Sequence, residues 1–313
     1  MKAFDYLLGF SIFLAACSNE TLSLNEDLSV KLFVEVGSNQ NQQQKSRTVT
    51  DADGHVTFST NDKVGMFIQN QENPVLWTYD GASWNPEKTI VWENRADDFD
   101  FQAYYPCEET AQVTRTSVPM PDLSVQTGKL GDIGSKDFLV GKCTTSYSDY
   151  NGVVSFSGTN AFKHVYSLLH INIVNDEAEQ SFKMVGCSFL GEGIVTPHVY
   201  SFDSASEGMK KSGEDEKSIL EIADLSSLTE SAITVLLNPV SLEIPLSFTL
   251  NYTNGGEGYE YEASVDIGKE FLAGSFSKIT LRLVDGKLTM TGNEVEDWNV
   301  ITLDEIVITG TPK

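Results

Sequence analysis

Apolar and polar residues alternate one for one along much of this chain. The clearest run lies near the N-terminus, where Leu28, Val30, Leu32, Val34 and Val36 alternate with Ser29, Lys31, Phe33 and Glu35. Period two sends successive side chains to opposite faces, so the run predicts a strand with one face in a core. Further strands are expected at 63–68, 77–79, 89–92, 98–106, 137–141, 152–156 and 165–173 in the first half. The second half offers 183–190, 233–237, 246–252, 259–265 and 278–284. Turn signals separate them: Asp53-Gly54, Asp80-Gly81-Ala82-Ser83 and Asn254-Gly255-Gly256. The first and third predict hairpins, because glycine accepts positive φ at low cost. Residues 108–136 are poorer in apolar side chains and carry Pro119 and Pro121, so loop and edge structure is expected there. The charged stretch 204–217 reads as an exposed loop, and 161–169 and 219–228 as two short helical turns. Short strands with turn signals every ~8–12 residues point to an all-β sandwich architecture rather than α/β.

The N-terminus adds a targeting signal. Residues 1–16 carry Lys2 and then an apolar run too short to span a bilayer, as a signal peptide does. Leu14-Ala15-Ala16-Cys17 reads as a lipobox: cleavage before Cys17 and acylation of its thiol. The other reading is an ordinary signal peptide with an incidental cysteine. Ser18 in the next position favours the outer membrane. Beyond the alternating strand comes Gly37-Ser38-Asn39-Gln40-Asn41-Gln42-Gln43-Gln44, then Lys45-Ser46-Arg47. An amide-rich run buries little apolar surface, and a basic pair within it is open to a trypsin-like protease, after Arg47 or alternatively after Lys45. Residues 17–47 thus form a lipidated strand and linker, a candidate pro-segment. The plainer alternative is that Lys45 and Arg47 keep a linker soluble.

Composition narrows the function classes. The 313 residues suffice for two domains, and 40% hydrophobic and 10% aromatic content supports real cores. The net charge of -24 repels phosphate backbones, so no nucleic-acid partner is expected. Cys107, Cys143 and Cys187 remain once Cys17 is acylated; they lack metal-ligand spacing and read as buried free thiols, with one disulfide possible in an oxidising envelope. His164 and His170 are six positions apart, ~20 Å along an extended strand, too far to share a metal. His164 reads as a satisfied core histidine. No nucleophile elbow or phosphate loop is present, and the carboxylates are scattered. No catalytic residue, metal site or cofactor is therefore expected, and the chain is read as non-enzymatic. Trp77, Tyr79, Trp84 and Trp92 could stack on sugars, but their apolar neighbours favour core packing.

The ordered set Asp62-Lys63-Val64-Gly65-Met66-Phe67, Trp84, Trp92, Phe101-Gln102-Ala103-Tyr104-Tyr105-Pro106, Lys136-Asp137-Phe138-Leu139 and Phe162-Lys163-His164, behind the lipobox, resembles the fimbrillin-like (Mfa-like) proteins of Bacteroides and relatives. These are components of type V pili and related surface adhesins. The match runs from about residue 47 to about residue 175, with a weaker continuation to Trp298. The resemblance implies two tandem transthyretin-like β-sandwich domains, here 48–165 and 166–313, behind a lipoprotein signal peptide. It also implies export as a palmitoylated lipoprotein, cleavage by an arginine-specific protease and strand exchange between subunits. Leu28, Val30, Leu32, Val34 and Val36 would then be a removable strand. Ile301, Leu303, Ile306 and Ile308, broken by Asp304-Glu305, would be a donor strand, although the residues alone fit an ordinary edge strand equally well. The expected protein is a fimbrial subunit or fimbria-associated adhesin of the outer membrane and cell surface. Its partners would be other fimbrial subunits and a host or bacterial receptor, with the membrane reached through the lipid alone. The alternative is a monomeric glycan-binding surface lipoprotein.

Overall fold

The structure, a computed structural model, describes residues 28–36, 49–51, 54, 56–69, 71–175, 182–228, 231–253 and 260–298. The signal segment, Cys17, Lys45, Arg47, Ile301, Leu303, Ile306 and Ile308 lie outside the described residues. In chain order the first half holds β1 (Lys31–Val34), β2 (Val49–Thr50), β3 (Val56–Thr57), β4 (Lys63–Ile68), β5 (Val75–Tyr79), β6 (Trp84–Pro86), β7 (Phe99–Tyr105), β8 (Val118–Pro119), β9 (Leu139–Thr145), β10 (Val153–Phe156) and β11 (Lys163–His164). The second holds β12 (Ser167–Asn175), β13 (Lys183–Leu190), β14 (His198–Ser201), β15 (Gly208–Lys211), β16 (Ile219–Ile222), β17 (Ala232–Leu237), β18 (Val240–Thr253), β19 (Glu260–Phe271), β20 (Ser275–Val284) and β21 (Lys287–Asp297). One α-helical turn, α1 (Tyr147–Tyr150), interrupts the strands. The protein is all-β.

A six-stranded sheet in the order β11-β9-β7-β4-β5-β6 forms the frame of the first half. β7 alternates over its first half, with Phe99, Phe101 and Ala103 buried and Asp100 exposed, whereas the central β4 is buried on both faces from Val64 to Ile68. The second half pairs two four-stranded sheets, β17-β12-β20-β21 and β16-β13-β18-β19. β12 carries an apolar run, Leu168, Leu169, Ile171 and Ile173, all buried, and is bonded antiparallel to β17 and parallel to β20. An apolar run flanked by two ladders is what a central strand requires. The halves are sewn together: β8 pairs with β14, and Gln126 exchanges two hydrogen bonds with the Leu236 main chain, each 2.8 Å.

Several local expectations are corrected. Residues 161–169 and 219–228 are not helical turns: the first leads through β11 into β12, and β16 opens the second, alternating exposed and buried along β13. Ladder hydrogen bonds and burial outweigh the weak local propensity that suggested helix. The 204–217 stretch is not wholly loop, because β15 pairs with β14 inside it. β21 was absent from the alternation pattern. It is an edge strand, mostly exposed, and its pairing with β20 rather than any apolar row makes it a strand.

Candidate functional site

The N-terminal alternating run packs into the first half as an inserted strand. β1 lies parallel to β10, in the register Lys31↔Val153 to Val34↔Phe156. The Lys31 and Glu35 amides donate to the Gly152 and Phe156 carbonyls at 3.0 and 2.8 Å, and the Phe162 amide donates to the Glu35 carbonyl at 2.8 Å. A parallel strand offers alternate residues to each neighbour. The main-chain groups of Leu32 and Val34 therefore point to the other edge, where pairing is short. There the Val30 amide donates to the Ile90 carbonyl and the Trp92 amide to the Leu28 carbonyl, both at 2.9 Å. Past that pair the edge faces a cleft of about 580 Å³ lined by Trp77, Ser83, Trp84, Pro86, Thr89 and Ile90.

The side chains sort by face. Val30, Leu32, Val34 and Val36 are buried, Leu28 is half-buried, and Phe33 on the outer row is 42% exposed. Val154 and Phe156, the register partners of Leu32 and Val34, are fully buried on the same face. Trp92 ties the slot walls together: its indole N–H donates to the Gly152 carbonyl at 3.1 Å, and its ring meets Phe99 and Phe101 edge-on. Trp77 and Trp84 are also buried, and the Trp77 indole N–H has no hydrogen-bond partner among the described residues. Leu28, Val30, Leu32, Val34 and Val36 thus share one slot. Its walls, β10 and the Ile90–Trp92 segment, were visible in the sequence as separate strands. No sequence signal joined either of them to β1, because strand partners this remote leave no mark in local alternation.

His164 Nδ1 and Asp137 Oδ2 meet at 2.7 Å with both side chains fully buried. Burial pushes the thiols up, Cys107 to about 11 and Cys143 and Cys187 to about 12. All three cysteines are free and buried. Among the described residues no group of three or more His, Cys, Asp and Glu side chains is placed to hold a metal. No described helix is long and apolar enough to cross a membrane.

Solved structures resemble this fold. A candidate cell adhesion protein from Bacteroides uniformis superposes with a TM-score of 0.61 at 18% identity, over 87% of this chain and 98% of that one. A second, from Bacteroides ovatus, gives 0.58 at 16% identity, over 86% and 97%. The tip fimbrial protein Mfa3 of Porphyromonas gingivalis gives 0.42 at 11% identity, over 86% and 100%. At such identities the likeness of the first two speaks to the fold. No curated protein sequence matches the chain. The fimbrillin-like family profile matches residues 39–298, from the amide-rich linker through β2–β21 to Trp298, with β1 lying ahead of the matched range. This chain belongs to the fimbrillin-like family.

Proposed function

We propose that this fimbrial-type protein is a pilus subunit or fimbria-associated surface adhesin that assembles by strand insertion once its N-terminal strand has been cut away. The observation that carries the reading is the seating of 28–36. Its apolar row fills a slot between β10 and the Ile90–Trp92 segment, and residues 37–48 are its covalent link to the frame. Cleavage after Arg47, or after Lys45, severs that link. β2 begins at Val49, so the new N-terminus starts directly on the β2–β3 hairpin. Loss of the strand exposes Val154 and Phe156, the partners of Leu32 and Val34, and leaves an unpaired edge on β10, which is a template for another strand. Refilling the slot buries about four side chains at roughly 1.5–3 kcal/mol each. The donor is the Ile301, Leu303, Ile306 and Ile308 segment of another subunit. Acylated Cys17 holds the precursor on the outer membrane through its lipid alone, and an uncut subunit anchors or ends a polymer. The glycan-binding alternative loses its aromatic platform, because Trp77, Trp84 and Trp92 are buried.

The three described arginines make the cleavage step testable. The Arg95 carbonyl accepts from the Ser148 amide and hydroxyl at 3.2 and 2.8 Å. The Arg115 carbonyl accepts from the Phe202 amide at 2.7 Å. Arg282 sits in β20, paired on both sides with Val174 and Thr289. A protease needs an extended, unpaired substrate, so each of these bonds is guarded in the native fold. Brief treatment of the native protein with an arginine-specific protease is expected to give one new N-terminus, Thr48, followed by growth of multimers on size-exclusion chromatography. Cutting at several arginines, or a Thr48 product that stays monomeric, would sink the proposal.

A further inference from the structure

Trp298, the last described residue, joins segments far apart in the chain. Its buried indole stacks face to face on the His164 ring, with centroids 3.5 Å apart and planes 8° apart. The indole N–H donates to the Gly54 carbonyl, and the main-chain amide donates to the Gly274 carbonyl at 2.7 Å. Gly54 stands at φ +84°, and a Cβ there would come within 2.9 Å of Phe276 and 3.2 Å of Trp298, so both the backbone and the close approach call for glycine. His164 is held by Asp137 at 2.7 Å, and Gly54 follows Asp51 in the turn between β2 and β3. The end of β21 is therefore fastened across to the first half, against β11 and the hairpin that opens the processed chain.

We propose that Trp298 is a positioning residue for strand donation: it fixes the root of segment 299–313 on the N-terminal half, beside the start of the processed chain. This rests on the reading of that segment as the donor. The physical need is plain. β21 is an edge strand whose last pair is Asp297 with Ser275. A pull on residue 299 would otherwise open the β20–β21 ladder one pair at a time from that end. With the indole clamped between His164 and Gly54, the pull passes into the six-stranded sheet through β11 and spares the ladder.

Two variants of the full chain test it. Trp298→Phe keeps a ring over His164 and removes the N–H donor; Trp298→Ala removes both. By hydrogen exchange, Trp298→Phe is expected to speed the amides of 49–57 by about five- to tenfold while β18 and β19 exchange as before. Unchanged exchange in 49–57 overturns the proposal, as does acceleration spread evenly through β18–β21, which marks general loosening. The second measurement mixes processed subunits with a one-way partner. Trp298→Ala chains are offered as donors to an acceptor whose own tail is silenced by Ile301→Asp and Leu303→Asp, and separately as acceptors. A much larger loss in donation than in acceptance supports the positioning role; equal losses overturn it. If the wild-type chain itself does not assemble, the strand-insertion reading falls, and the exchange result alone decides whether Trp298 holds the root.

Discussion

Gly141 lies in β9 directly under Phe162, where a Cβ would sit 2.4 Å from the ring. Gly65 stands in the same relation to Tyr104, also at 2.4 Å. Neither position was marked as special by its neighbours in sequence, since only the crossing ring makes glycine necessary. Gly141→Ala is expected to cost about 1–3 kcal/mol of stability by overpacking, measured by urea denaturation. The thiols tell a related story. Burial raises each above its ordinary value of 9.0, to about 11 for Cys107 and about 12 for Cys143 and Cys187. A raised thiol favours the folded state in full below the unfolded value, and that contribution is lost as pH climbs from 9.0 through the folded values. Stability is therefore expected to fall above pH 9, and a thiol reagent at pH 8 should leave all three unmodified until denaturant is added. Reaction of any of them in the native protein would contradict their burial.

Among the strands, β1 is the clearest case of a pattern read correctly in isolation and incompletely in context. Its alternation predicts which side chains are buried, and Val30, Leu32, Val34 and Val36 are. The alternation carries no record of the parallel partner β10, about 120 positions downstream. The helical turns expected at 161–169 and 219–228 failed for a similar reason, since both stretches gain hydrogen bonds from strands remote in sequence. The proposal that 28–36 is a removable strand makes a differential expectation. Leu32→Ala should destabilise the uncut chain by about 2–5 kcal/mol, the range for truncating a buried leucine. The same substitution should leave the protein unchanged once it has been cut behind Arg47 and the strand has departed. Equal destabilisation before and after cleavage would mean that the strand stays in place.

For the molecule as a whole, the charge of -24 sets a condition on any encounter between two copies. Like-charged subunits repel over a Debye length that shrinks from ~30 Å at 0.01 M salt to ~8 Å at 0.15 M. Assembly of processed protein is expected to accelerate as salt rises over that range, followed by light scattering. A rate that falls with salt would point instead to attraction between specific charged patches. Addition of salt should leave the extent of strand burial untouched, because the inward row Val30, Leu32, Val34 and Val36 and the facing Val154 and Phe156 are apolar and buried.

What the amino-acid sequence determined alone is everything that depends on neighbours along the chain: the all-β character, the buried row of 28–36, and the short strands and their turns. The family resemblance too was legible, in an ordered set of short motifs. What only the tertiary structure decided is pairing. It set β1 beside β10, gave β8 to the sheet of β14, drew β21 out of a polar stretch, and brought Gly54, His164 and Trp298 together. The reason is that local alternation encodes which face of a strand is apolar, whereas its partner is chosen by which remote edges and cavities remain to be satisfied once the whole chain has packed.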